Sequence, residues 1–289
     1  MIDPALIANN LIDGVLMGLL YSLVALGLSL VFGLMDIINF AHGDFVMIAA
    51  YTTWIVAMMF YVDPSVTAII TVPLFFVVGL AIYKIIIEPI LGAEPLIQIA
   101  VTVGLGYVLQ NLALAYFRAS PRSFPAPWFN YSIQIGPIGI AVSKLIAAIV
   151  SLASLFIINY MLVNTKFGLA VRATSANREV APLMGINVRK VFAITFGLGI
   201  ALTALGAALY MMWGQTNPYL GQSFSLLSWV IVAMGGLGGV MGVLYSGLIV
   251  GVLEALGSTF VSPSARLAVV YLAFFFILWF RPRGLFGRR

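Results

Sequence analysis

Stretches without a single Asp, Glu, Lys or Arg constrain this chain more than any other feature. Residues 14–35, 45–62, 64–83, 96–117, 145–165, 191–253 and 267–280 carry none. A helix needs about 20 apolar residues to cross roughly 30 Å of hydrocarbon, and most of these windows reach that length. The window 191–253 is too long for one span. The polar stretch from Gly214 to Ser225 and the glycine cluster from Gly235 to Gly242 divide it. The expectation is an all-α polytopic membrane protein with eight or nine transmembrane helices in a single domain over residues 1–289. Only 8% of the residues are charged and 63% are hydrophobic, where soluble domains carry about a quarter charged residues. Barrel strands alternate apolar and polar residues over about 10 positions, and these windows are continuously apolar.

The placement of charge sets sidedness. The first basic residue is Lys84, so the positive n-region of a secretory signal peptide is missing and the first span is expected to stay. Absence of cysteine excludes disulfides and thiolate metal sites. The net charge of +5 sits beside span ends, which is the positive-inside pattern rather than a nucleic-acid surface. Segment 164–191 holds Lys166, Arg172, Arg178, Arg189 and Lys190 against Glu179 and reads as cytoplasmic. The tail with Arg281, Arg283, Arg288 and Arg289 belongs on the same side, so an even number of spans separates the two. Spans near 191–213, 226–240, 242–260 and 263–280 satisfy that count, with Ser262 and Pro263 resembling an N-cap and first turn. Five passes before residue 164 place the N-terminus outside. Loop 118–141, rich in proline and aromatics, is then external, with Trp128, Phe129 and Tyr131 at the interface. Lys84 and Arg118, at span ends, read as snorkelling anchors.

One polar cluster interrupts the apolar pattern. INFAHGDF, residues 38–45, begins two residues after Asp36 and contains Asn39, the single histidine His42, and Asp44. An aspartate at the centre of a membrane helix costs about 2.5 to 3.5 kcal/mol, so such groups face a cavity or a partner. The cluster is either a break in the helical scaffold lining a pathway or a simple turn between two spans. Gly43 permits close backbone approach, and Asn39 suits a cap or a ligand contact. An echo of this stretch occurs later. ALGLSLVFGLMDIINFAHG (25–43) and ALGAALYMMWGQTNPYLG (204–221) both run from Ala-Leu-Gly through an apolar helix to Asn-x-x-x-Gly. One exits inward and the other outward, so the echo is either an inverted repeat with broken helices or a chance similarity among low-complexity apolar helices. Asn39, His42 and Asn217 then offer polar groups, and Phe40, Phe45 and Tyr219 an apolar wall, for a small solute.

Other chemistry is poorly supported. One histidine and scattered acids make no zinc set, and no nucleophile elbow, His-Glu-x-x-His or Ser-x-x-Lys motif occurs. No phosphate-loop motif is present, and GGLGGVMG (235–242) reads as a tight interhelical turn or a close-packing surface. Glu254, inside an apolar helix, is expected to be a buried structural polar group facing protein, bonded to a backbone or hydroxyl partner.

These residues also resemble a family, the LivH-type permease subunits of branched-chain amino acid ABC importers. The resemblance runs over essentially the whole chain and is carried by residues 27–51, 167–199, 217–221 and 233–256. It implies a permease without its own ATPase site or cofactor, in the cytoplasmic (inner) membrane of a bacterium or archaeon, with a cytoplasmic C-terminus. It further implies a second related permease, two cytoplasmic ATP-binding subunits that use ATP, and an extracytoplasmic substrate-binding protein. Glu179, Ala181 and Gly185 keep a Glu-x-Ala-x-x-x-Gly spacing that resembles an ATPase-docking loop, so 164–191 reads as the coupling loop. Val180 and Pro182 depart from that motif, and Pro182 is expected to start or kink the coupling helix. The rival reading from the residues is an autonomous channel or secondary transporter for small polar solutes such as urea or amides.

Overall fold

The computed structural model of the chain describes residues 4–124, 131–236, 238–282 and 284–286. Its helices are α1 (Pro4–Met35), α2 (His42–Phe60), α3 (Ala68–Ile82), α4 (Glu88–Ile90), α5 (Pro95–Phe117), α6 (Val142–Asn164), α7 (Lys166–Ala176), α8 (Val188–Tyr210), α9 (Leu220–Gly235), α10 (Val240–Phe260) and α11 (Arg266–Phe280). A π-helical stretch, Tyr83–Ile87, joins α3 to α4 into one span. Among the described residues seven segments are long and apolar enough to cross a membrane, and α9 and α11 are shorter apolar helices. The chain is thus an all-α multi-pass membrane protein. Among the described residues the strands are β1 (Ser132–Ile135) and β2 (Ile138–Ala141), an antiparallel hairpin inside loop 118–141. Trp128, Phe129, Arg283, Arg288 and Arg289 lie outside the described residues, and Tyr131 is exposed.

Two expected boundaries move. Helix α9 begins at Leu220 rather than near 226, because Gln222 and Ser223 lie on an exposed helical face and Ser225 is buried with a hydrogen-bond partner. Ser262 does not cap α11. Its hydroxyl accepts the Ala265 amide at 3.1 Å, which closes a turn ahead of Arg266, where regular helix starts.

The ends of the helices fall on two faces. On one, Ser175 donates to the Gly33 carbonyl, Arg178 pairs with Asp36, Arg189 pairs with Glu88, and the Leu285 amide bonds the Met234 carbonyl. This is the α7 face. On the other, the Gly139 amide bonds Asn9, Lys144 pairs with Asp13, and Asn10 donates to Thr259.

Helices α1 and α8 are central. In each, 78% of the most apolar stretch is buried, against 22% to 28% for segment 68–90, α5 and α6. Lipid provides no hydrophobic drive between helices, so close backbone packing must supply it. Gly14 and Gly18 of α1 meet Gly251 and Gly247 of α10, two Gly-x-x-x-Gly faces in antiparallel contact where any Cβ would strike a carbonyl. Gly27 and Gly199 do the same where α1 crosses α8.

The neighbours of the central helices reveal the repeat. Helix α1 packs on α10 as α8 packs on α3, and α1 meets α9 as α8 meets α2. Exchanging α1 with α8, α2 with α9 and α3 with α10 leaves these pairings unchanged, and the exchanged helices run in opposite directions. That arrangement is an inverted two-fold repeat.

Candidate functional site

Helix α1 stops at Asp36, which adopts the left-handed region (φ 52°) that Asp tolerates better than most residues. Residues 36–41 then leave helical geometry and turn back into the bundle. Their depth follows from His42, whose Nε2 lies 2.9 Å from the Val24 carbonyl. Val24 is eleven residues before the end of α1, which is about 16 Å along the axis. A surface turn would not reach that level. Helix α2 therefore starts in the middle of the bundle.

Backbone groups freed by this break find local partners, as burial requires. The Asn39 side chain accepts the Ala41 amide at 3.1 Å. Thr102 of α5 accepts the Phe40 amide at 3.3 Å and reaches the Ile38 carbonyl at 3.0 Å. Ser225 of α9 donates to the Phe40 carbonyl at 3.0 Å and accepts the Gly43 amide at 2.9 Å.

The second copy repeats this plan from the opposite face. After α8 ends at Tyr210, residues 211–219 return inward, with Thr216 and Arg122 exchanging backbone bonds of 2.8 Å. Asn217 accepts the Tyr219 amide at 2.9 Å, as Asn39 does for Ala41. Gly221 then lies against Asp44, and Gly43 against Gly221 and Ser225, with no room for a Cβ on either glycine. Tyr210 is eleven residues beyond Gly199, the residue that touches Gly27, so the α8 end is about 16 Å from the centre on its own side.

Two helix N-termini thus converge, and each carries roughly half a positive elementary charge. Asp44 occupies the junction. It is 9% exposed and has no ion-pair partner among the described residues. Its oxygens lie against Gly221 of α9 and Gly106 of α5. The paired helix ends offset part of the cost of burying a carboxylate there.

Residues expected at a pathway separate into two groups. Asn39, His42 and Phe45 are buried, and Asn39 Nδ2 and His42 Nδ1 have no hydrogen-bond partner among the described residues. Phe40 and Tyr219 are exposed. On α9 an exposed stripe of Tyr219, Gln222, Ser223 and Leu226 follows helical spacing, and Trp229 below it stacks near Phe40 at 5.4 Å. Thr102, Gly106, Ser225 and Trp229 were not singled out by sequence reasoning. A signal existed for the first two: Gln98, Thr102, Gly106 and Gln110 recur every four residues in an otherwise apolar helix, and all four are buried.

The 164–191 loop is ordered by its own polar groups. Thr165 caps α7 by accepting the Gly168 amide. Arg172 donates to the Leu162 and Val163 carbonyls, which the end of α6 leaves unpaired. Asn177 accepts the Glu179 and Val180 amides, and a single 3-10 turn follows over Ala181–Met184, with Pro182 in its first positions. Gly185 closes the turn at φ 78°. Ala181 is buried and Glu179 exposed, while Val180, Leu183 and Met184 project with 48%, 82% and 78% exposure. Arg178 turns back to the bundle, 2.5 Å from Asp36 and stacked over Phe192.

Glu254 is buried against protein and has two partners. The Tyr21 hydroxyl donates to its carboxylate, the hydroxyl partner expected, and Arg266 Nε, 3.1 Å away, is an additional ionic partner because the end of α10 lies beside the start of α11. Among the described residues no group of three or more acids and histidines is placed to hold a metal ion.

Comparison with known proteins places this geometry in context. The family model described as branched-chain amino acid transport system / permease component matches residues 10–278. The high-affinity branched-chain amino acid transport system permease protein LivH of Salmonella typhimurium is 29% identical over 296 residues, 97% of this chain and 95% of the relative. The corresponding protein BraD of Pseudomonas aeruginosa is 27% identical over 297 residues, with the same coverage. No solved structure matches the chain.

Proposed function

Since the chain belongs to the family of branched-chain amino acid transport system permease components, we propose that it is one permease of an ABC importer for a branched-chain amino acid or a close relative. A second, related permease completes the pathway, two ATP-binding subunits on the cytoplasmic side supply the energy, and an extracytoplasmic binding protein delivers the solute. In this reading the α7 face and the C-terminus are cytoplasmic, in accord with the basic residues of 164–191.

One observation carries the reading: two inverted re-entrant segments meet at the centre of the bundle, beside an exposed polar stripe on α9. Irregular backbone at membrane depth is tolerated where it is buried in protein or lines a cavity. Gln222 facing hydrocarbon would be costly. A sister permease placed over α2, α5 and α9 removes that cost and encloses Phe40 and Tyr219 in a shared pathway.

The apolar tip of Val180, Leu183 and Met184 is the natural insert for a groove in an ATPase subunit, a feature that an autonomous channel or secondary transporter leaves without a role. The Arg178–Asp36 pair links that tip to the segment 36–41, so displacement of the loop is passed to the centre. The test is ATP hydrolysis by the reconstituted importer in response to loaded binding protein. Leu183→Asp with Met184→Asp is expected to abolish the response while the two permeases still co-purify. Solute flux through the chain without ATPase subunits, or an unaltered response of the double variant, would refute the proposal.

A further inference from the structure

On the face opposite α7 a cavity of about 680 Å³ opens between α1, α6, α8, α9, α10 and α11. Along α1 it is lined from Asn10 to Tyr21, eleven residues or about 16 Å of depth. Its lining changes character with depth. Two opposite-charge pairs stand at the outer level, Asp13 with Lys144 at 2.8 Å and Glu254 with Arg266 at 3.1 Å. The contact of Gly14 with Gly251 and Ala255 brings the two pairs side by side on neighbouring helices. The Tyr21 hydroxyl marks the boundary by donating to Glu254, and deeper lie Met17, Phe224 and Leu227, with the Tyr21 and Tyr210 rings packed on Phe224. The inner wall is the first turns of α9, where the second break ends.

This gradient has a chemical counterpart. A carboxylate and an ammonium on one carbon match a rim that presents both signs, and an aliphatic side chain matches the apolar depth. The volume lies within the usual range for small-molecule sites. We infer that this cavity is a vestibule for a free zwitterionic α-amino acid with an apolar side chain, held between Asp13, Lys144, Glu254 and Arg266 at its head and Met17, Phe224 and Leu227 at its tail. The inference rests on the permease reading and deepens it: the permease itself selects for a zwitterion before the solute reaches the central junction. A ligand of one charge leaves one member of each pair competing for it. A ligand with both charges inserts between the pairs without leaving either sign unmatched.

The test uses the assembled importer in lipid nanodiscs, nucleotide-free and without binding protein, with radiolabelled leucine as probe. Competition by 4-methylpentanoate, which lacks the ammonium, and by isopentylamine, which lacks the carboxylate, is expected to be at least tenfold weaker than by unlabelled leucine. Met17→Trp, which fills the depth, is expected to remove binding. Ser223→Trp on the α9 wall is a second blocking variant, should the first fail to assemble. Asp13→Asn with Lys144→Gln is expected to weaken binding about tenfold. Equal competition by the two single-charge analogues, or leucine binding unchanged in both Trp variants, overturns the site. So does a cavity occupied by a phosphatidylethanolamine headgroup that leucine does not displace, as read by native mass spectrometry. Import by the wild-type complex is measured in parallel. Import that persists undiminished in Met17→Trp and Ser223→Trp refutes the vestibule alone, whereas no ATP-dependent import by the wild type refutes the permease reading.

Discussion

Asn39 and Asn217 each fold onto the amide two residues ahead and each launch a helix from the centre of the bundle, yet their surroundings differ. The first break is enclosed: Ile37, Asn39, Ala41 and His42 are buried, and Val24, Thr102 and Ser225 from three other helices hold it. Its outer end is tied to the 164–191 loop through Asp36 and Arg178. The second break is open: Gln215, Tyr219 and Gln222 are exposed, and it borders the 680 Å³ cavity. An inverted repeat thus keeps one backbone plan while its side chains divide the labour. The enclosed copy suits receipt of force from the loop, and the open copy suits receipt of solute.

The sharpest way to break this comparison is to separate the two copies where they touch. A side chain at Gly221 would strike Asp44, and one at Gly43 would strike the α9 backbone and Ser225. Gly221→Val is expected to abolish import and to lower the melting temperature in detergent by several degrees, since overpacking costs about 1 to 3 kcal/mol or more. Normal import by this variant would show that the helix ends do not need to meet.

A second test concerns the tie that only the enclosed copy has. Arg178→Asp is expected to reduce loaded-binding-protein-stimulated ATP hydrolysis about tenfold, with Asp36→Arg in the same chain restoring most of it. The pair is exposed, so its worth in stability is about 0 to 1 kcal/mol, and thermal unfolding is expected to move little. Failure of the reversed pair to rescue would assign Arg178 to the ATPase surface instead of to Asp36.

Much of this comparison was legible in the sequence, for identifiable reasons. Charge-free windows located the spans because a membrane helix has to satisfy every backbone group internally. The two Asn-x-x-x-Gly echoes marked both breaks, since an Asn turn ahead of a helix and a glycine at a helix contact are local requirements. Partners were not legible. Thr102, Ser225 and Gly106 reach the breaks from helices far along the chain, and nothing local to residues 36–45 announces them. Glu254 signalled burial correctly, while its partner Arg266 lay beyond a turn whose length the Ser262–Pro263 pattern misplaced.

Smaller effects sharpen the account. His42→Leu removes a single buried bond to the Val24 carbonyl, and a loss of about 1 to 3 kcal/mol in stability is expected, with His42→Gln retaining part of it. Equal melting temperatures for wild type and the Leu variant would remove His42 as an anchor of the enclosed break. Glu254→Gln keeps a polar contact to Arg266, and a loss of less than about 1 kcal/mol is expected because the guanidinium is half exposed. Glu254→Leu is expected to cost more, and the order of the two in thermal unfolding checks the pairing.

The absence of cysteine permits the most direct measurement, proximity of the two breaks in a native membrane. Cysteines at Phe40 and Ser225, whose carbonyl and hydroxyl are 3.0 Å apart, are joined with a short bifunctional thiosulfonate. A protease site between them then reports whether the fragments stay linked. Meeting of the breaks predicts an efficient intrachain link at 40 and 225, equal to that of a control pair at Asp36 and Arg178 on the α7 face, whose side chains touch. Linkage of the control pair alone would mean that residues 36–45 remain at the surface and that the two copies do not meet.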